Sequence, residues 1–355
     1  VHRPLSVGII ASARHALREP FAGGLEAHTA QLARGLRDRG HRVVVFASAD
    51  SDPRLGVEPV CARATRLDLS EAARRDPSML ADGFMGEHHA YLHLMLRLRE
   101  REDLDVVHNN ALHYLPVAMA STLSCAFVTT LHTPPTPWLE SAHAAAREHG
   151  AYVSVSQANA AAWQATVPDC AVIPNAVDTE TWRPRPGPVL DRAVWMGRIV
   201  PEKAPHLALR AAHLAGLPLD IAGPVHDREY HETCVAPLLR PVDRLLGHRT
   251  SAELAKLVAA RAVCLVTPAW DEPFGLVVAE ALACGTPVAA FARGALPELL
   301  DARTGALATP GDPAALADAI ARARRCDRAH CAREAARRWT VDAMVRRYED
   351  CYRGL

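Results

Sequence analysis

The stretch Trp270-Asp271-Glu272-Pro273-Phe274-Gly275-Leu276-Val277-Val278-Ala279-Glu280, continued by Ala283-Cys284-Gly285-Thr286-Pro287-Val288, decides the fold. Before it, residues 262–266 are a short apolar run; after Gly275, residues 276–284 read as a helix, so the stretch turns from a buried strand into a helix. In open α/β sheets ligands bind outside the carboxyl ends of the strands. The backbone N–H groups of Phe274, Gly275 and Leu276 fall at the helix start, where unpaired donors and the helix dipole suit a phosphate or a sugar hydroxyl. Pro273 fits a turn or a first helical position, and Gly275 permits close backbone approach. Glu272 lies in the loop and Glu280 about a turn and a half inside the helix, on the same side. A carboxylate accepting two neighbouring hydroxyls matches a sugar ring or a ribose diol. The bland alternative, a capping acid and a solvated helix acid, fits either glutamate alone better than it fits the whole string.

Outward from this stretch, short apolar runs alternate with helical patterns in both directions. Strands are expected at residues 5–10, 42–46, 105–108, 126–131, 151–155 and 171–173, and, beyond a break, at 192–196, 217–222, 262–266 and 287–291. Near-continuous apolar runs of this kind are buried parallel strands. A helix from Gly24 to Arg39 repeats Leu25, His28, Leu32 and Leu36, and Gly40 stops it. The break is Thr-Trp-Arg-Pro-Arg-Pro-Gly-Pro at 181–188, rich in residues that cannot continue a ladder. The expected fold is therefore α/β: two doubly wound, Rossmann-like domains facing each other across a cleft. The expected boundaries are 1–180, a linker at 181–191, a second domain at 192–338, and a last segment at 339–355. The tail from 312 reads as almost entirely helical. Its final helix, 341–352, carries Val341, Met344, Val345, Tyr348 and Tyr352 on one stripe and needs a partner.

Composition narrows the class. The chain has 355 residues, 49% hydrophobic and 23% charged, which excludes a disordered or fibrous protein and allows two domains. Forty basic residues balance forty acidic ones, so the net charge exerts no pull on nucleic acid, and membrane contact is expected to be peripheral at most. The apolar part of the N-terminus is too short for a signal peptide, and no run of about 18 apolar residues is present. The nine cysteines form no C-x-x-C pair, the pattern of a reduced, cytoplasmic chain without a disulfide framework or zinc site. Only two lysines occur, Lys203 and Lys256.

With these motifs the sequence resembles the retaining glycosyltransferases of family 4 (GT4), which have the GT-B fold. Glu272 and Glu280 match that family's Glu-x7-Glu. The resemblance extends to Gly23-Gly24-Leu-Glu-Ala-His, Ile173-Pro-Asn-Ala-Val-Asp178, Gly197-Arg198 with Lys203, and Ile221-Ala-Gly-Pro224, in the family's order over essentially the whole chain. It implies that Arg198 and Lys203 hold the donor diphosphate, a planar fork and a point charge suited to a departing anion. Ala204 stands where the family often has glycine. It implies that the Gly23-Gly24 loop approaches the donor phosphates and that His132, at the end of strand 126–131, faces the transferred sugar. Gly197, Gly223, Phe274, Gly275 and Leu276 would line the donor, Glu272 would hold the sugar and Glu280 the ribose. Arg249, beside an expected Ser251 N-cap, either stacks on the base or is a helix-start charge. Gly294-Ala295-Leu296-Pro297-Glu298 resembles a family motif and reads as structural. The final helix crosses back to the first domain in this family.

Other clusters carry less. His88, His89 and His93 have metal-like spacing without H-E-x-x-H, so a solvated or acceptor-facing helix is expected and no metal. His15 reads as a loop residue. Arg34, Arg37, Arg39 and Arg42 cluster near a helix end, where the dipole favours them. The expected function is transfer of a sugar from a nucleotide diphosphate-sugar to a sugar, lipid or small-molecule acceptor, with retention and without metal or cofactor. Acceptor contacts are expected from residues 12–22 and 76–101. The alternatives are a nucleotide-sugar-binding protein without turnover and a sugar-nucleotide epimerase or phosphorylase on the same fold. A phosphorylase would need a further lysine for pyridoxal phosphate. A dehydrogenase is disfavoured because no G-x-G-x-x-G follows the first strand.

Overall fold

The computed structural model describes residues 3–60, 69–75, 82–146 and 150–355. Residues 76–81 of the expected acceptor region, and Cys61, lie outside them. The chain forms two compact units: Val1–Ser154 with Ala162–Ala171 and Val345–Leu355, and Val155–Ala161 with Val172–Met344. The proline-rich segment 181–191 lies within the second.

The first unit is built on seven parallel strands: β1 (Ser6–Ile10), β2 (Arg42–Ala47), β3 (Val57–Pro59), β4 (Val106–Asn109), β5 (Ala126–Leu131), β6 (Ala151–Ser154) and β7 (Cys170–Val172). Their order is β3-β2-β1-β4-β5-β6-β7, so the winding reverses between β1 and β4. Val7 pairs with Val43 on one side and Val106 on the other. The helix Gly24–Asp38 buries His28, Thr29, Leu32, Ala33 and Leu36 and ends where Gly40 turns the chain at φ +88. One core packs Ile10, Phe46, Tyr91, Leu94 and Phe127; another packs Leu131, Leu139, Tyr152 and Trp163.

The final helix, Val341–Arg353, brings its last residues into this unit. Tyr352 Oη lies 2.7 Å from His108 Nδ1, and Thr130 Oγ1 lies 2.7 Å from His108 Nε2 and 3.1 Å from Tyr348 Oη. Glu349 accepts two bonds from Arg39, at 2.7 and 2.8 Å. His41 Nδ1 accepts from the Leu5 N–H, which leaves its Nε2–H to donate to Glu349 at 2.7 Å. The expected arginine cluster is used internally: Arg37 donates to the Val43 carbonyl, Arg42 pairs with Asp103, and Arg34 lies 3.6 Å from Asp52.

The second unit has six parallel strands: β8 (Leu190–Met196), β9 (Leu219–Ala222), β10 (Arg244–Gly247), β11 (Arg261–Val266), β12 (Val288–Phe291) and β13 (Gly305–Ala308). Their order is β10-β9-β8-β11-β12-β13, and the winding reverses between β8 and β11. One face of the sheet carries Val194, Cys264, Val278, Leu282 and Trp339, the other Trp195, Leu209, Ile221, Leu265 and Ile320. Both sheets are doubly wound, as expected.

Several details differ from expectation. β8 begins at Leu190, inside the expected linker, because Leu190 pairs with Arg261 of β11. The helix Ser251–Ala259 is capped by Thr250, not Ser251: Thr250 is extended, its hydroxyl accepts from the Glu253 N–H, and Glu253 returns a bond to the Thr250 N–H. The helical tail is three helices, Pro313–Ala323, Arg328–Arg338 and Val341–Arg353, the second starting anew at an Asp327 cap. Among the described residues no helix is long and apolar enough to cross a membrane.

Candidate active site

The second unit gathers most of the expected donor residues at its winding reversal. Gly197 and Gly223 directly follow β8 and β9, and β10 ends in Gly247. The Gly197 N–H donates to the Ala222 carbonyl at 3.1 Å and the Gly223 N–H to the Gly247 carbonyl at 2.9 Å. A Cβ on Gly223 would lie 1.8 Å from the Gly197 carbonyl oxygen, at φ +153, so only glycine fits there. Arg198 follows Gly197, half-buried, with Glu202 as an ion-pair partner at 3.5 Å.

Lys203 sits in the next turn. Ala204 is left-handed, φ +46 and ψ +52, which supplies the reason for the family's glycine; alanine holds the same turn at a cost of about 1 kcal/mol. Lys203 Nζ donates to Glu272 Oε2 at 2.6 Å and lies 5.2 Å from the Trp270 ring centre. Trp270 Nε1 donates to the same carboxylate oxygen at 3.1 Å. Thus a residue after β8 and a residue after β11 are joined across the reversal point.

The loop that carries Glu272 is set from behind. A Cβ on Gly294 would fall 2.3 Å from the Glu272 carbonyl oxygen and 2.4 Å from its nitrogen, and the Ala295 N–H donates to that carbonyl at 2.8 Å. The structural reading of this motif holds further along: the Glu298 carboxylate accepts the N–H groups of Gln157 and Ala158.

The helix Leu276–Ala283 starts after Gly275, left-handed at φ +94. The N–H groups of Phe274, Gly275 and Leu276 find no acceptor among the described residues. Phe274 is buried against the Trp339 ring. Glu280, half-buried, has no hydrogen-bond partner for its carboxyl among the described residues, and burial pushes its pKa up to about 7. This sets a proton linkage. Ribose hydroxyls donating to Glu280 would favour its ionised form, so nucleotide binding below pH 7 should release a proton and affinity should rise with pH up to about 7, then level off. Calorimetry in buffers of different ionisation enthalpy reads the proton directly. Equal heats in all buffers at pH 6 would remove Glu280 from the site.

Arg249 is used locally: Nε donates to the Leu246 carbonyl at 2.9 Å and Nη1 lies 3.5 Å from Glu253. The structure favours the helix-start charge over a stacking role.

In the first unit, Gly23 is the extended N-cap of the helix Gly24–Asp38. His132 follows β5, and its Nε2–H donates to Asn110 Oδ1 at 2.6 Å. The ring of His28 lies edge-on to it at 5.0 Å. Burial, with the neighbouring His28 and His108, holds His132 well below the ordinary histidine range, so it presents a neutral imidazole. Asn110 and His28 were not singled out from the sequence as site residues; their nearness to His132 is a product of the fold. His88 Nδ1 lies 3.0 Å from Tyr114 Oη, and among the described residues no group of three His, Cys, Asp or Glu is placed to hold a metal.

Residues 22–181 match the family described as Glycosyltransferase Family 4, and residues 186–339 that described as Glycosyl transferases group 1. A glycogen synthase of Mycobacterium tuberculosis is 30% identical over 342 residues, covering 84% of this chain and 81% of that protein. The chain belongs to the family 4 glycosyltransferases. A D-inositol 3-phosphate glycosyltransferase of Nocardioides sp. is 35% identical over 206 residues, 50% of this family 4 chain and 44% of the relative. Solved structures show the same GT-B fold: sucrose-phosphate synthase from Thermosynechococcus elongatus (TM-score 0.80, 19% identity, 99% of both chains) and Anabaena Alr3699/HepE in complex with UDP-glucose (TM-score 0.77, 19% identity, 99% of this chain and 100% of that one). The activity of this family 4 member is sugar transfer.

Proposed function

We propose that the enzyme takes its sugar from a nucleoside diphosphate sugar and passes it to an acceptor hydroxyl with retention at the anomeric carbon, without a resident metal or cofactor. The observation that carries this reading is the Lys203–Glu272 bond across the reversal point, beside the open N–H groups of Phe274, Gly275 and Leu276 and the partnerless carboxyl of Glu280. In this reading Arg198 and Lys203 neutralise the diphosphate as it leaves, the charge that a metal ion would otherwise meet. Glu272 and the helix-start N–H groups hold the sugar, and Glu280 holds the ribose. Gly197 and Gly223 give the nucleotide close access to the backbone, with Arg249 at the margin.

Retention follows from same-face departure. The bond from the anomeric carbon to the diphosphate oxygen breaks, the acceptor oxygen bonds on the face just vacated, and the departing phosphate takes the acceptor's proton. Glu272 is the obvious carboxylate for a covalent alternative, but its bonds to Lys203 and Trp270 hold Oε2 in a loop beside the helix start, a place that suits sugar hydroxyls better than the anomeric carbon. A cytoplasmic setting belongs to the same proposal, supported by the free thiols of the eight described cysteines. A donor-hydrolysis assay separates turnover from the binding-only reading.

The test is the anomeric proton coupling of the product against that of the donor, measured by NMR with and without a chelator. The same coupling class, at an unchanged rate with the chelator, is expected. An inverted product overturns retention; loss of rate with the chelator overturns metal independence.

A further inference from the structure

The turn that carries Lys203 is weakly held by its own bonds. The Lys203 N–H reaches the Val200 carbonyl at 3.2 Å, and the Ala204 N–H reaches the Val200 and Pro201 carbonyls at 3.2 Å each. Ala204 is the only residue other than glycine at positive φ among those described. Isolated, such a turn would relax, since L-residues avoid this region.

A side chain from another strand opposes that relaxation. Thr267, just past the end of β11 and buried, places Oγ1 3.0 Å from the Lys203 carbonyl and 3.1 Å from the Ala204 carbonyl. Its one hydroxyl proton serves both. Its lone pair accepts from Trp195 Nε1 at 3.1 Å, and Trp195 is buried on β8. The hydroxyl is thus both donor and acceptor, a combination that a threonine or serine provides and a valine of the same shape does not.

The Trp195 ring also lies under the other cationic turn. A Cβ added to Gly197 would meet the ring at Cη2 at 3.2 Å, so the backbone leading to Arg198 rests on the same indole. A second stitch, the Ala269 N–H to the Glu202 carbonyl at 2.8 Å, ties the two loops on the outer side of Lys203. Neither Thr267 nor Trp195 bears a charge.

We propose that Thr267 and Trp195 are positioning residues for the diphosphate-binding cations: their buried hydrogen bond fixes the left-handed turn that aims Lys203 and backs the turn that carries Arg198. The inference rests on the reading of Lys203 as a diphosphate contact. It makes discrimination between a nucleoside diphosphate and its monophosphate depend on an uncharged pair that does not touch the ligand.

The test uses UDP, GDP and ADP, each against its own monophosphate, in calorimetric titrations of the full chain; the best-binding base fixes the pair of probes. Lys203→Ala should collapse the ratio of diphosphate to monophosphate affinity. Thr267→Val should lower the ratio about tenfold with monophosphate affinity unchanged, the effect of one lost buried hydrogen bond that no longer holds the turn. Thr267→Ser should restore the ratio to within about twofold. General loss of stability does not move a ratio measured on the folded fraction. If Thr267→Val does not fold, Trp195→Phe, which keeps an aromatic ring and removes the N–H, takes its place with the same direction expected. A parental ratio in Thr267→Val or Trp195→Phe, with the ratio lost in Lys203→Ala, overturns the positioning role and leaves Lys203 in the site. A parental ratio in Lys203→Ala overturns the reading of Lys203 and this inference with it.

Discussion

Lys203→Ala is expected to lower kcat about 10²–10³-fold while nucleoside monophosphate affinity changes little. The lysine's side chain is three-quarters shielded, and its partners are one carboxylate oxygen and the face of Trp270. A compact charge in such a place is worth most when negative charge develops beside it, as it does on a departing diphosphate. The monophosphate lacks the second phosphate and so reports binding that Lys203 does not supply. Lys203→Arg should not rescue the rate: the guanidinium is broad and planar, and the site holds a point donor 2.6 Å from Glu272 Oε2. Steady-state rates at saturating donor, with calorimetric binding of the monophosphate, decide the matter. Turnover within threefold of the parent would take Lys203 out of the chemistry.

The second large effect belongs to stability. Glu349→Ala should destabilise the first unit by about 3–5 kcal/mol, the range for breaking a buried ion pair from one side. The carboxylate is almost fully enclosed and holds three donors, two from Arg39 and one from His41. Removal takes the acceptor from the His41 N–H and two hydrogen bonds from the Arg39 guanidinium. Burial alone would raise the Glu349 pKa, but the hydrogen bonds from Arg39 and His41, with the charge of Arg39, outweigh it, and the net shift is downward from 4.5. A carboxyl depressed in the folded state stabilises fully above its unfolded value. Its contribution is therefore complete above about pH 4.5 and is lost as the pH falls through the lower folded value. Urea unfolding of parent and variant at pH 7 and at pH 3 measures both parts. The gap between them should shrink at pH 3; a gap of equal size at both pH values would show that the anchor is packing and not charge.

What the sequence made legible was local. Val43-Val44-Val45, the Gly40 stop and the turn at Glu272 could be read because each is decided within a few residues. The scarcity of lysine drew attention to Lys203 before its partner was known. The edge strands Val57–Pro59, Arg244–Gly247 and Gly305–Ala308 went unread, since three or four residues, one a proline, become a strand only beside a longer neighbour. Thr250 and Ser251 are chemically equivalent as caps, and backbone geometry chose between them. The site's supports were hidden for a different reason. Gly294 against Glu272, Asn110 against His132, and Thr267 between Trp195 and the Lys203 carbonyl join positions tens of residues apart, and no periodicity carries such pairings.

The anchoring of the last helix also orders events during synthesis. Thr130, His108 and His41 leave the ribosome before the second unit is made, while Tyr348, Glu349 and Tyr352, which cover them, follow it. The intervening second unit, by contrast, is complete once residue 344 has emerged. At about 5–20 residues per second, the face awaiting the helix stays uncovered for on the order of ten to forty seconds. The unit that begins earlier in the chain is thus the one whose native packing is finished later, and a nascent chain stalled short of residue 345 would hold a folded second unit and an unfinished first one.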